Sequence, residues 1–342
     1  MKFNLKTTAR GVLALALAAC FTGVQAQQKV ITMKASSVSL NDINHEYFKV
    51  LKAALESKSN GRIKLDIFPA GQLGPLPRTI EGVTLGTIDL DQPAMGFLVG
   101  LDPRFVVFDA PGLFDNEMHA FATMRDPDLR KRIATMGAAK NLESLFVFVN
   151  GPLMLLSHNA IRTVDDLKGK RLRAPGGAPM HIEPFRKLGV SPLTMPLNEV
   201  LPAMQNKGID GMMSGFSVMT AFKYWDIAKP VTELPGSFLV SAVITNPKTL
   251  ASYGPELEGL VRAEARKAEE NYTAPGAGLL GDLERVRGLW RSNGGEIIRM
   301  SAAEQKRYIT EASSVLPPML AADPKMKEDY EAIVATAKKY RK

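Results

Sequence analysis

Cysteine is nearly absent from this chain: one occurs in 342 residues, Cys20. No intrachain disulfide can form, so the fold must hold by its core, which a chain of this length can bury. Long apolar runs are also missing. None approaches the roughly 20 uninterrupted residues of a membrane-spanning helix. Basic residues exceed acidic ones, with a formal net charge of +8, but they form no clustered stripe of the kind that grips nucleic acid. Histidine is sparse, and His45, His119, His158 and His181 form no His-Glu-x-x-His pair. There is no Gly-x-x-x-x-Gly-Lys-Ser/Thr phosphate loop and no Gly-x-Ser-x-Gly elbow, and no Gly-x-Gly-x-x-Gly surrounds Gly176-Gly177. These absences give an expectation of no enzyme activity, no metal and no cofactor. The one enzymatic alternative is a general base in a cleft, with His158 or Asp210 as the nominees.

What is present begins with a leader. Lys2, Lys6 and Arg10 stand in an acid-free start, Gly11 to Ala19 is apolar and small, and Val24-Gln25-Ala26 offers a peptidase exit. The expected signal peptide is 1–26, which removes three cations and leaves +5 on the rest. Leu17-Ala18-Ala19-Cys20 also has the form of a lipobox, so a lipid anchor at Cys20 stands as the alternative to release after Ala26. At 45% hydrophobic and 23% charged, the remainder is globular. A mild positive field suits small anions, and it suits simple solubility equally well.

Hydrophobic periodicity predicts two α/β units and a helical tail. In the first, strands at Val30–Ala35 and Ile63–Phe68 flank a helix over His45–Ser57, and a second helix over Arg78–Leu85 leads to a strand from Ile88. In the second, Leu145–Asn150 and Leu153–Ser157 read as strands. Arg171–Ala174 is a further strand, and helices follow over Met180–Leu188 and over 198–206, with Asn198 as cap. The order implies a mostly parallel sheet. Thr87-Ile88-Asp89 and Gly208-Ile209-Asp210 echo each other at matching places. Helices at Pro255–Asn271, Leu279–Ser292, Ser301–Leu316 (Ser301 as cap, Glu304 completing a capping box) and Glu328–Tyr340 would brace both units. The expected division is 27–150 plus about 239–278 for one α/β domain, and 151–238 plus about 279–342 for the other.

Arg171 and Arg173 lie two apart, so on a strand they share a face. Two solvated arginines on an edge strand are the plain alternative. The functional reading is that Arg173, nearest the carboxyl end of its strand, faces a crevice, where open α/β sheets bind ligands. Its guanidinium stays charged and donates two parallel hydrogen bonds to a carboxylate.

An ordered set of motifs then resembles one family. Phe68-Pro69-Ala70-Gly71-Gln72-Leu73-Gly74 matches its loop after the second strand. Asp166-Leu167-Lys168-Gly169-Lys170-Arg171-Leu172-Arg173-Ala174-Pro175 matches its "DLKGxKxRxP" strand, with Arg171 in place of lysine. Leu188-Gly189-Val190, Glu199-Val200, Ala203-Met204-Gln205 and Gly208-Ile209-Asp210-Gly211 follow in order. The chain resembles DctP-type substrate-binding proteins of tripartite ATP-independent periplasmic (TRAP) transporters over nearly its whole length after the leader.

The resemblance implies a two-domain α/β clamshell with a long helical brace. It also implies an organic acid bound between the domains and delivered to a membrane permease, with the receptor a periplasmic monomer. The family's carboxylate-binding arginine falls on Arg173, and a frequent polar ligand residue falls on Ser214. Departures are at Met213, at Leu153, where some members carry a second arginine, and near Ala94-Met95, where some carry an acid. With Leu197, these apolar positions give the expectation of a monocarboxylate with an apolar or aromatic body, since unpaired buried polar groups cost about 1–3 kcal/mol each. A binding protein or sensor partner of another system is the alternative of the same chemistry.

Overall fold

The computed structural model describes residues 30–175, 178–273 and 278–341. The leader with Cys20, and residues 176–177, 274–277 and 342, lie outside the described residues. The first unit runs β1 (Ile31–Ser36), α1 (Ile43–Lys58), β2 (Ile63–Phe68), α2 (Leu76–Thr84) and β3 (Leu90–Asp91). Asp42 caps α1 by accepting from the His45 amide, satisfying one of the free donors of its first turn. The helix buries Tyr47, Phe48, Leu51 and Leu55. β1 lies between β2 and β3 and is parallel to both.

Two 3-10 segments, Met95–Leu98 and Pro103–Asp109, lead to α3 (Glu117–Met124), α4 (Pro127–Ile133) and the long strand β4 (Glu143–Ser157). The second unit repeats the plan with β5 (Arg171–Ala174), α5 (Pro179–Lys187), β6 (Ser191–Thr194), α6 (Leu197–Gln205), β7 (Gly211–Gly215) and α7 (Phe216–Ala221). β5 lies between β6 and β7, again parallel to both. Pro196, not Asn198, precedes the first turn of α6.

The echo between the units has a structural cause. Asp89 accepts from the Lys34 amide and its own amide donates back to Lys34. Asp210 does the same with Arg171. Each aspartate fastens the entry to its unit's third strand onto the strand beside it.

The sheet is mixed, a correction to the mostly parallel expectation. Its order is β2-β1-β3-β8-β4-β7-β5-β6, and β8 (Pro230–Thr245) pairs antiparallel with β4. These two strands run through both halves and join them. β4 replaces the two strands expected at 145–157, because Gly151, at φ +114°, absorbs a register shift inside one continuous strand. Side-chain alternation along β4 separates the cores. Val147 and Val149 enter one first-half cluster, and Phe146 and Phe148 another. Leu153 and Leu155 enter one second-half cluster, and Met154 and Leu156 the other.

The tail continues through α8 (Pro247–Ala251), α9 (Pro255–Tyr272), α10 (Leu279–Ser292), β9 (Glu296–Ile298), α11 (Ala302–Ser313), α12 (Leu316–Ala321) and α13 (Pro324–Tyr340). Ser301 caps α11 as expected, but the Glu304 carboxylate accepts from Val164 and leaves the box half made. α9 packs on α1, α10 on α7 and α11 on α5. α13 returns to α3, α4 and the Pro103–Asp109 turn in the first half, although the division drawn from the sequence placed it in the second.

The junction of β7 with β4 leaves no room at Gly211, where an added Cβ would lie 2.3 Å from the Leu156 carbonyl oxygen. Gly211→Ala is expected to cost about 1–3 kcal/mol, read as a lower urea midpoint with an unchanged slope.

Candidate functional site

The two arginines of β5 have opposite fates. Arg171 is exposed and paired, its Nη2 lying 3.0 Å from Asp210 Oδ1. Arg173 is 4% exposed. Its Nε and Nη2 each donate to the Met195 carbonyl at 3.2 Å, and Nη1 donates to the Met213 carbonyl at 3.3 Å. No carboxylate of the described residues pairs with it. Burial pushes its pKa down to about 10, with the nearby Tyr224 hydroxyl acting weakly the other way. At pH 7 the group remains charged. The depression reflects the cost of keeping a cation out of water, and an anion brought to it would offset that cost.

Sheet alternation decides which predicted residues join it. Arg173 is level with Met212, and Ser214 lies on the same face one pleat further along β7. The carbonyl that Arg173 contacts belongs to the peptide unit leading into Ser214. Leu197, the first residue of α6, is half-buried against the cluster on this face, close in sequence to Met195. Leu153 and Met213 take the opposite phase. Both are buried in the cluster on the other face with Leu155, Leu172 and Phe185, so they cannot shape a pocket over Arg173. This removes two of the apolar groups on which the expectation of an apolar ligand body rested. Ala94 is buried and bridges to Ser241 of β8 in the first half.

Sequence reasoning missed a polar belt on the Arg173 side of the sheet, between the two apolar clusters of that side. Asn150 of β4 donates to the Ser241 hydroxyl at 2.5 Å. The Tyr272 hydroxyl, at the end of α9, donates to Asn150 and Asn44 at 3.3 Å each. Ser217, three residues after Ser214, donates to Asp282 of α10 at 3.4 Å. Burial holds the Asp42 carboxyl above its usual range, and the charge of Asp282 pushes the same way. Burial, followed by the charges of Asp42 and Asp282, raises the Tyr272 hydroxyl well above its ordinary range. Beside this belt, at the end of β3, Gln92 is 5% exposed with neither amide atom hydrogen-bonded. The belt can offer donors and acceptors to a polar ligand body, and Arg173 can take its anionic end. No single sequence signal marks it, since Asn150 and Tyr272 are 122 residues apart.

The two nominees for a general base are engaged elsewhere. His158 Nε2 lies 3.1 Å from the Met204 carbonyl, and Asp210 is held by Arg171. No group of three or more metal-ligating side chains gathers among the described residues.

Comparison with known proteins gives a consistent picture. The family described as bacterial extracellular solute-binding protein, family 7 (DctP) matches residues 34–322. The 2,3-diketo-L-gulonate-binding periplasmic protein YiaO of Escherichia coli is 27% identical over 231 residues, covering 67% of this chain and 70% of that protein. Among solved structures, the sugar acid binding protein DctPAm of Advenella mimigardefordensis in complex with galactonate superposes with a TM-score of 0.82 at 22% identity, covering 92% of this chain and 99% of that one. A TRAP periplasmic solute binding protein of Haemophilus influenzae with bound L-gulonate gives 0.81 at 22% identity, covering 91% and 100%. The fold is thus that of the two-domain periplasmic binding proteins, with the helical tail spanning both halves.

Arg173→Met removes both the buried charge and its three bonds to carbonyls, which offset one another. Unfolding in urea without ligand is expected to stay within about 1 kcal/mol of the parent. A loss above about 3 kcal/mol would mean the guanidinium is a structural strut.

Proposed function

This chain belongs to family 7 of the bacterial extracellular solute-binding proteins, the DctP family, and from that membership we propose that it captures an organic acid anion between its two α/β domains for a TRAP permease. One observation carries the reading: a guanidinium nearly out of contact with water whose partners are all carbonyls. Arg173 takes the carboxylate through its fork, Ser214 adds a hydrogen bond, and Leu197 and Ala94 line the walls. Closure over the ligand excludes water and strengthens the ion pair.

The belt of Asn150, Ser241 and Tyr272, together with the unbonded amide of Gln92, argues for a body that carries hydroxyl or carbonyl groups, in place of an apolar one. Named relatives and solved neighbours bind such acids, among them 2,3-diketo-L-gulonate, galactonate and L-gulonate. The receptor acts as a monomer without cofactor and without chemistry of its own, a reading favoured by the engagement of His158 and Asp210 in other contacts. No helix of the described residues is long and apolar enough to cross a membrane. The leader directs export to the periplasm, with release after Ala26 favoured over an anchor at Cys20.

A thermal-shift panel of L-gulonate, galactonate, succinate, mandelate and branched monocarboxylates tests this directly, because a ligand raises the melting temperature as RT ln(1 + [L]/Kd). A shift with hydroxylated acids that is lost in Arg173→Ala and kept in Arg171→Ala is expected. A shift with apolar monocarboxylates alone would overturn the account of the belt. Shifts that survive Arg173→Ala would overturn the site.

A further inference from the structure

We propose that Asp109 and His181 form a latch between the two halves, a matched pair that makes the closed arrangement conditional on both residues. Asp109 ends the Pro103–Asp109 turn in the first half, and His181 stands in the first turn of α5 in the second. They are 3% and 2% exposed. His181 Nε2 lies 3.4 Å from Asp109 Oδ1, but the two do not align as a hydrogen bond. Neither carboxylate oxygen and neither ring nitrogen has a hydrogen-bond partner among the described residues. Each is therefore left with the other.

The surroundings show how tightly the halves meet here. Met180 is buried in the first-half core, although it belongs to α5. At Gly96 an added Cβ would lie 2.4 Å from Asp109 Oδ2 and 2.6 Å from the Cβ of Ala178, so only glycine lets the halves approach this closely. The two crossing strands carry left-handed glycines near one level, Gly151 at φ +114° in β4 and Gly236 at φ +61° in β8. The register between the strands is interrupted over this stretch. That is where two otherwise rigid halves can swing.

In a separated arrangement, both side chains face the cleft and water. Closing strips them of water and leaves them facing each other at 3.4 Å. A buried carboxylate whose facing imidazole is missing is uncompensated, whereas an apolar pair of similar volume carries no such demand. Neither residue is assigned to the ligand. Their effect on affinity works through the population of the closed form, since apparent affinity falls by the fraction that is competent to bind. Only that affinity readout rests on the receptor reading above.

The test uses the full chain with Cys20→Ser and spin labels at Leu85→Cys and Leu193→Cys, two exposed positions in opposite halves. Interlabel distances are measured with and without L-gulonate and galactonate. His181→Leu is expected to deplete the short-distance population and weaken acid binding at least about tenfold, while Asp109→Leu/His181→Met restores both to within about threefold. Unchanged distances in His181→Leu overturn the latch, as does a double variant as open as the single one, because coupling is then absent. If His181→Leu does not fold, judged by circular dichroism, Asp109→Asn keeps the shape and must show the same direction of change. If no acid binds the parent, the receptor reading fails, and the distances in the unliganded variants still decide the latch.

Discussion

The pairing of β4 with β8 is the constraint on which the other arrangements depend. Each half owns a three-stranded parallel core, around β1 in one and β5 in the other. Neither core would know where the other lies without the two crossing strands between them. Because β4 pairs with β7 through Leu153 to Ser157, its register fixes the depth of Ser214, and β5 then inherits the depth of Arg173 from β7. On the first-half side the same strands carry Asn150 and Ser241, and β8 pairs with β3 at Asp91. The polar belt and the guanidinium therefore meet because two strands of 15 and 16 residues hold one ladder across the molecule.

That ladder also explains why a cation can be stored without a partner. A guanidinium in water needs nothing from the protein. Here the backbone carbonyls of Met195 and Met213 are fixed by α6 and β7, so they solvate Arg173 without needing to reorganise. They supply dipoles but no charge, and burial still holds the pKa of Arg173 below its ordinary value. The outer arginine of the same strand is the internal contrast. With Asp210 at 3.0 Å, Arg171 is held above its ordinary value and has no use for a ligand. Two identical side chains two residues apart differ in role because one strand end is wet and the other is enclosed.

Much of the fold was legible in the sequence where burial follows a simple period. β2, β5 and α10 begin and end where hydrophobic patterning puts them. β8 was missed because Pro230, Pro235-Gly236 and the polar residues between them interrupt any period, while its hydrogen bonds to β4 keep it a strand. β6 has four residues and a mostly exposed face, so it carries no pattern to find. For the candidate site, the enclosure of Arg173 was legible from its place at a strand end. The facing of Leu153 and Met213 was not, since Gly151 shifts the register of β4, and a slip of one residue moves a side chain to the other face. The belt was invisible for a different reason. Asn44, Asn150, Ser241 and Tyr272 come from four elements, each contributing one polar residue that reads alone as a cap or a strand edge.

The two buried polar systems of this interface would divide the work of recognition. Among the described residues Arg173 has only carbonyl partners, so in the proposed site an anion would supply the charge that its enclosure lacks. In the proposed latch, Asp109 and His181 face each other, so their enclosure would ask nothing of the ligand and would test only whether the halves have met in register. A ligand that neutralises Arg173 but is too large for the closed cleft would leave Asp109 and His181 separated and wet. It would then gain the ion pair in a high dielectric, where a contact is worth several-fold less than in an enclosed site. Discrimination between acids of equal charge would thus rest on closure as well as on contact, which would let one arginine serve a selective receptor without a second cation at Leu153.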